Sequence, residues 1–391
     1  MQSGTSANPE NTLPGRWVRT LAGYRAFNPD PLPPKLDWSP GLVRALSEAD
    51  LLLGQLAGEG RRLPNPHVLI RPFVRREAVL SSKIEGTQAT LGELLAAEAG
   101  AQVDRSPEDL REVGNYVVAL EHGIERLATL PLSLRLVREI HEKLMRGVRG
   151  DHATPGEFRR SQNWIGPAGC TLNDASYVPP PPDALMDSLE AWEKFLHDRT
   201  LPPLVQIALA HYQFEAIHPF LDGNGRVGRL LITLFLMERR ILPSPLLYLS
   251  AFFEATRRDY YDGLSGVSAR GDWTGWLQYF LRGVARQSED ALSRSRRINA
   301  QLEAWRDAVA GSRASLLTID LLAANPFVTV RGVQRELKTS YNTAARAIAA
   351  LEKAGIVRQV NGAKRDRVYC AQAILDILEE PARLTPEQTG A

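Results

Sequence analysis

Cysteine is scarce in this chain, with two in 391 residues, Cys170 and Cys370, far apart and outside any CxxC spacing. That excludes a disulfide framework and a cysteine zinc site, and it suits a reducing compartment. A charge imbalance is missing too. With 47 basic and 45 acidic residues the net charge is +2, so the whole molecule is no polycation and any nucleic-acid contact must rest on a local patch. Long apolar runs are absent: the longest, LLITLFLM at 230–237, is too short to span a bilayer. The amino terminus, MQSGTSANPENTLPGR, has no apolar core and is not read as a secretory signal. What is present, 44% hydrophobic and 24% charged residues, is the composition of a soluble globular protein. A cytoplasmic location without a membrane partner is expected, and the length calls for two or three domains.

Helical periodicity dominates the chain. Residues 1–40, rich in Pro, Asn and Gly, read as an extended arm rather than a helix. Ser39 then stands as an N-cap before Pro40, and leucines follow at every third or fourth position. RREAVLSSKIEGTQATLGELLAA reads as a helix that breaks or bends near Gly86, and PEDLREVGNYVVALEHGIERL and LSLRLVREIHEKLMRGV as amphipathic helices. Over 150–182 the periodicity gives way to Gly, Pro, Asn and aromatic residues, a loop with a short hairpin ending in a proline run. RVGRLLITLFLMERR is apolar on most sides, as a helix at the centre of a bundle should be. DWTGWLQYFLRGVARQSEDALSRSRRINAQLEAW supplies one or two long helices. From about 315 the composition resets. The order becomes helix, short helix, turn, helix, then two strands joined by a Gly-containing hairpin, the pattern of a winged helix-turn-helix. VRGVQREL is its second helix, YNTAARAIAALEKAG, after Ser340, its third, and IVRQVNGAKRDRVYC its wing.

One segment concentrates chemistry: HPFLDGNGRVGR, residues 218–229. Gly223 and Gly225 allow backbone conformations and close approach that a side chain would forbid. If this turn opens the helix that follows, its backbone N–H groups and the positive end of the helix dipole face one point, which favours an anion and above all a phosphate. Arg226 and Arg229, three apart, project from one side of the first turns, and guanidinium forks pair with phosphate oxygens. Asp222 offers a hard oxygen to Mg²⁺, and His218 an imidazole that can take a proton from an attacking hydroxyl.

This string resembles the HxFx(D/E)GNGRxxR signature of the Fic family, matching it in full, and PGEFRRSQNWIG at 155–166 resembles the segment before that family's flap hairpin. The resemblance implies a mainly α fold: a Fic-type helical bundle with a small β-hairpin flap, to which the winged helix-turn-helix is appended. It implies domains at 1–115 (arm and helical region), 116–300 (catalytic core) and 315–391 (winged helix-turn-helix). It further implies an enzyme that transfers AMP from ATP, with Mg²⁺, to a Ser, Thr or Tyr hydroxyl of a protein. His218 would then be the general base and Asp222 the metal ligand. Gly223, Asn224 and Gly225 would form the anion hole, Arg226 would neutralise phosphates and Arg229 would grip the γ-phosphate, with Val227 and Gly228 in the same nucleotide-binding segment. Members that phosphorylate carry Lys at the second glycine; this chain keeps both glycines. SYVPPPP at 176–182 would be the flap, with Tyr177, Val178 and Pro179 aligning an extended target. Tyr260 and Tyr261 would line the adenine pocket, although core packing is the commoner use of such a pair.

SSKIEGT at 81–87 resembles the family's inhibitory motif, (S/T)xxxE(G/N), with Ser81, Glu85 and Gly86 in place. The resemblance implies that Glu85 pairs with Arg229 and denies it to ATP; a homodimer is common among similar proteins, and the oligomeric state stays open at this point. In the C-terminal module, residues 316–370 hold Arg331, Arg335, Lys338, Arg346, Lys353, Arg358, Lys364, Arg365 and Arg367 against four acidic residues, a local charge of +5. Arg346 and the Lys364-Arg365 pair suit contact with DNA. Protein contact is the competing use. The alternative function is therefore a DNA-binding regulator whose core senses nucleotide or modifies its own chain.

Overall fold

The computed structural model of the protein describes residues 13–20, 22–62, 66–148, 154–167, 169–361 and 365–385. The expected arm contains an antiparallel hairpin, β1 (Gly15–Arg19) with β2 (Arg25–Pro29), in which Trp17 stands opposite Phe27. The prolines of this region hide a short apolar set; Ala26 and Phe27 are fully buried and anchor the pairing.

Helices follow in the order α1 (Pro40–Arg62), α2 (Pro66–Ile84), α3 (Leu91–Glu98), α4 (Pro107–Arg126), α5 (Leu134–Met145), α6 (Leu185–Leu196), α7 (Pro203–Ile217), α8 (Asn224–Glu238), α9 (Ser250–Ala255), α10 (Arg257–Arg270) and α11 (Trp273–Ala308). Local chemistry explains several boundaries. The Ser39 hydroxyl accepts from the Leu42 amide ahead of α1. Thr90 and Glu93 form a capping box on α3, and Ser133 caps α5. The break expected near Gly86 is real, since α2 ends at Ile84 and α3 begins at Leu91. The long segment from Trp273 is one helix of 36 residues. Among the described residues no helix is long and apolar enough to cross a membrane.

By internal contacts the chain divides into two compact units. The first comprises Met1–Leu51, Ala119–Arg239 and Thr256–Val284. Its centre is the pair α7 and α8, whose residues are buried on nearly every side; α6 and α10 pack on α7, and α5 on α8. Each fully buried Leu, Ile or Phe there contributes about 1.5–3 kcal/mol. Two buried tryptophans also satisfy their indole N–H groups: Trp192 donates to Ala210 O and Trp276 to Ala208 O, both at 2.9 Å.

The second unit comprises Leu52–Val118, Arg240–Ala255 and Ala285–Ala391. Its C-terminal part runs α12 (Arg313–Ala324), β3 (Phe327–Thr329), α13 (Val330–Glu336), α14 (Tyr341–Lys353), β4 (Arg358–Gln359), β5 (Val368–Cys370) and α15 (Gln372–Glu379). The sheet is antiparallel in the order β3-β5-β4. Thr329 and Ser340 cap α13 and α14 through their hydroxyls. Strand β3 and helix α15 were not foreseen. β3 is three residues long, too short for periodicity to register, and α15 follows the last expected strand after one residue. The hairpin tip, including Lys364, lies outside the described residues.

This unit buries an ionic cluster. The Arg294 guanidinium donates to both Asp290 oxygens at 2.7 and 3.0 Å, to the carbonyls of Glu380 and Pro381 at 2.9 and 3.0 Å, and to that of Ile377. Arg76 lies 3.8 Å from Asp290, and burial lowers its pKa to about 10. Asp290 is thus the counter-charge between two buried cations. Removing its charge is expected to destabilise the protein by about 3–5 kcal/mol, the usual effect of stranding a buried ion. Urea unfolding of Asp290→Asn beside wild type measures it, and an unchanged midpoint would contradict this role.

Candidate active site

The chemistry-bearing segment is the link between α7 and α8. Helix α7 ends at Ile217, and His218, its C-cap, adopts a left-handed backbone (φ 50°, ψ 62°), a conformation strained for any residue with a Cβ. Helix α8 begins after Gly223, also left-handed (φ 79°), and no side chain caps it. A Cβ on Gly223 would come within 2.8 Å of Met145 Sδ, so both the backbone angle and the space require glycine. Gly228 marks a close approach of α8 to α7: a Cβ there would displace the Glu215 carboxylate and lie 3.2 Å from the Phe214 ring.

Asn224 closes the loop on itself. Its Oδ1 accepts from the Phe220 amide and its Nδ2 donates to the Phe220 carbonyl, both at 2.8 Å in a buried setting. The side chain of Asn224 is therefore a clasp, and what it offers an anion is its place in the first turn of α8. Arg226 and Arg229 are both buried, at 4% and 2% exposure, so neither lies on a solvated face. Arg226 reaches Met145 Sδ at 3.5 Å and stands 3.6 Å from Asp222. Two buried guanidiniums at an uncapped helix N-terminus make the site attractive to an anion.

Asp222 is exposed, with Oδ1 accepting from the Gly223 amide at 2.6 Å. Half-buried His218 places Nδ1 3.3 Å from the Glu215 carbonyl. A carbonyl only accepts, so that contact puts the proton on Nδ1 and leaves Nε2 as the acceptor of the ring.

Three residues outside the 218–229 segment hold this loop. His141 of α5 stacks on Phe220 with ring centroids 3.7 Å apart. It accepts the Gly156 amide on Nδ1 at 2.9 Å and donates from Nε2 to the Asp222 carbonyl at 3.0 Å. Asn163 donates to the carbonyls of His218 and Phe220 at 3.1 and 2.8 Å. Arg159, 3% exposed, donates from Nε to the His218 carbonyl at 2.9 Å. Arg159 and Asn163 fall inside the quoted 155–166 segment, but nothing there separates buried Arg159 from its exposed neighbour Arg160. His141 looks like any residue of an amphipathic helix.

The expected short hairpin is a single antiparallel bridge, Ile165 with Tyr177, paired at 2.8 and 3.0 Å. Tyr177 donates its hydroxyl to the Ala216 carbonyl at 2.9 Å and packs its ring near Trp17 and Phe27. The Val178 carbonyl accepts from the Phe27 amide at 2.8 Å, and that of Pro179 from Gln162 Nε2 at 3.0 Å. Tyr260 and Tyr261 part company: Tyr260 is buried and hydrogen-bonded to His211 Nε2 at 2.9 Å, whereas Tyr261 is 43% exposed. Ser81 is buried in α2, Glu85 is exposed beyond its end, and Gly86 turns the chain with φ 101°.

Burial holds the His141 pKa down to about 4, and that of His211 to about 3. Unfolded, both titrate near 6.5. The unfolded chain therefore binds more protons between those values, and stability present above about pH 6.5 is lost as pH falls toward 4, by about 3 kcal/mol for His141. Chemical denaturation across pH 7 to 4 is expected to show that decline, shallower in His141→Gln; a flat profile would contradict it.

Two family models match the chain, one described as Fic/DOC family N-terminal over residues 43–125 and one as Fic/DOC family over residues 131–236. The chain is 33% identical over 215 residues to a protein adenylyltransferase Fic from Drosophila yakuba, covering 54% of this chain and 39% of that one. To the protein of the same name from Drosophila virilis it is 34% identical over 215 residues, covering 54% and 40%. It thus spans about two-fifths of the length of these relatives. A solved Fic family protein from Desulfovibrio desulfuricans has the same fold, with a TM-score of 0.59 at 22% identity over 87% of this chain and 98% of that one. The loop from His218 to Arg229 lies inside the second family match, and this chain carries both the N-terminal region and the Fic domain of the Fic/DOC family.

Proposed function

We propose that the protein is an adenylyltransferase that moves AMP from ATP to a Ser, Thr or Tyr hydroxyl of a protein, releasing pyrophosphate. The observation that carries this reading is the grouping of His218 at the end of α7 with buried Arg226 and Arg229 on an uncapped α8 N-terminus. The similarity to proteins named protein adenylyltransferase points the same way. Nε2 of His218 takes the proton of the acceptor hydroxyl as its oxygen attacks the α-phosphorus. Charge that builds on the phosphate oxygens meets the first turn of α8 and the Arg226 guanidinium, and Arg229 holds the γ-phosphate.

Magnesium fits the residues present. Among the described residues no group of three metal-ligating side chains occurs, and one accessible carboxylate beside a phosphate site is the kind of partial ligand set that Mg²⁺ completes with nucleotide oxygens and water. Asp222 would hold it, and the ion would neutralise phosphate charge.

Glu85 is the proposed brake, its carboxylate competing with the γ-phosphate for the Arg229 fork. Its support is the Ser81-Glu85-Gly86 spacing at the end of a buried helix. A second reading concerns the C-terminal part of the chain. Its element order supports a winged helix-turn-helix, and Arg331, Arg335, Lys338, Arg346, Arg358, Arg365 and Arg367 are exposed there, a surface suited to DNA phosphates. DNA affinity that falls steeply with salt, without AMP transfer, would favour a regulator over an enzyme.

Labelled ATP tests the main reading. Glu85→Gly is expected to raise incorporation of AMP into the protein or into lysate proteins. His218→Ala in that background is expected to lower it by about 100-fold or more, the usual range for a lost general base, while ATP affinity is retained. Equal labelling with and without Glu85 would discard the brake, and undiminished labelling without His218 would discard the base.

A further inference from the structure

Arg159 is a buried cation with no carboxylate partner among the described residues, and its position connects two parts of the site. Nε donates to the His218 carbonyl at 2.9 Å, Nη2 to the Pro180 carbonyl at 2.6 Å and to that of Ile217 at 3.3 Å, and Nη1 to that of Ser161 at 3.2 Å. Burial lowers its pKa to about 10, so it remains charged at neutral pH. Three of its four side-chain bonds go to carbonyl oxygens on two stretches of chain: the end of α7 that presents His218, and the 177–180 stretch after the Ile165–Tyr177 bridge; the fourth stays local, at Ser161. Each stretch also has its own support. Asn163 holds only the loop side, through His218 and Phe220, and Gln162 holds only the Pro179 side, with its Oε1 accepting from Tyr24 at 3.0 Å. Arg159 alone among these three bonds to both.

The geometry points to Arg159 as a positioning residue that sets the register between the His218 imidazole and the 177–180 stretch on which an acceptor segment would dock. This rests on the adenylyltransferase reading. The His218 backbone is left-handed and its carbonyl takes two donors, Arg159 and Asn163, so its orientation is held by these bonds against its own preference. A planar fork with several fixed donors does this where lysine, with one ammonium on a flexible stem, cannot.

Steady-state AMP transfer in the Glu85→Gly background tests the assignment, with wild-type-like circular dichroism as the criterion for a folded variant. Asn163→Ala is expected to lower kcat with little change in the acceptor KM, and Gln162→Ala to raise the acceptor KM with kcat largely kept. Arg159→Met is expected to do both, lowering kcat/KM by about 100-fold or more, as misplacement by an ångström does, with ATP affinity retained and Arg159→Lys recovering only part. An Arg159→Met enzyme that loses ATP affinity in proportion to activity, or stays within about threefold of its parent, would overturn it.

Hydrogen exchange reads the same coupling without turnover. Peptides covering 214–226 and 175–182 are expected to exchange faster together in Arg159→Met, and only one of them in each single-side variant. Independent behaviour in Arg159→Met would overturn the assignment. If Glu85→Gly transfers no AMP while the two peptides still respond together, the functional reading fails and the structural link stands.

Discussion

Everything proposed for this site depends on a six-residue loop, 218–223, being closed between two buried helices. Helices α7 and α8 are apolar on nearly all sides, so the chain that joins them has little freedom in where it emerges. Within it the Asn224 amide takes both the N–H and the C=O of Phe220, satisfying two buried backbone groups at once. That bond pair starts α8 at a defined angle and lets Arg226 and Arg229 enter the interior from its first turns. Without it, the helix terminus and the guanidiniums would have no common point of convergence.

The cost of this arrangement is local strain. Two consecutive helix boundaries are left-handed, at His218 and at Gly223, and only the second can be relieved by lacking a side chain. The first persists because the surroundings over-determine it: two donors on the His218 carbonyl, and an imidazole from α5 on that of Asp222. Strain held by its surroundings is a common attribute of sites that must present one side chain in one orientation. Here the side chain so presented is the imidazole that the functional reading uses as a base.

In the second unit, α2 carries the proposed brake and is held by a different interaction. Arg76 near its middle donates to the Glu380 carbonyl at 3.3 Å and approaches Asp290, which Arg294 also engages. The helix is thereby tied to residues more than 200 positions later in the chain. Its position in the fold follows from buried charge as well as apolar packing, and buried charge is unforgiving of partial loss.

How much of this was legible beforehand follows from the range of each interaction. The helices could be read because their signals are local: a serine before a proline, leucines at helical spacing, a glycine where the chain must turn. The hairpin in the arm, strand β3 and helix α15 were not read, because the arm's apolar pair sits among prolines and β3 is stabilised by partners about 40 residues away. In the site itself, the sequence alone established the convergence of a base, a carboxylate, glycines and two arginines, since they lie within twelve contiguous residues. Only the tertiary structure decided that both guanidiniums are buried, that the Asn224 side chain is a clasp, that Tyr260 turns inward to His211, and that His141, Arg159 and Asn163 hold the loop. The roles of His141, Arg159, Asn163 and Tyr260 rest on hydrogen bonds between residues 49 to 81 positions apart, and such bonds leave no periodicity or spacing in the chain that makes them.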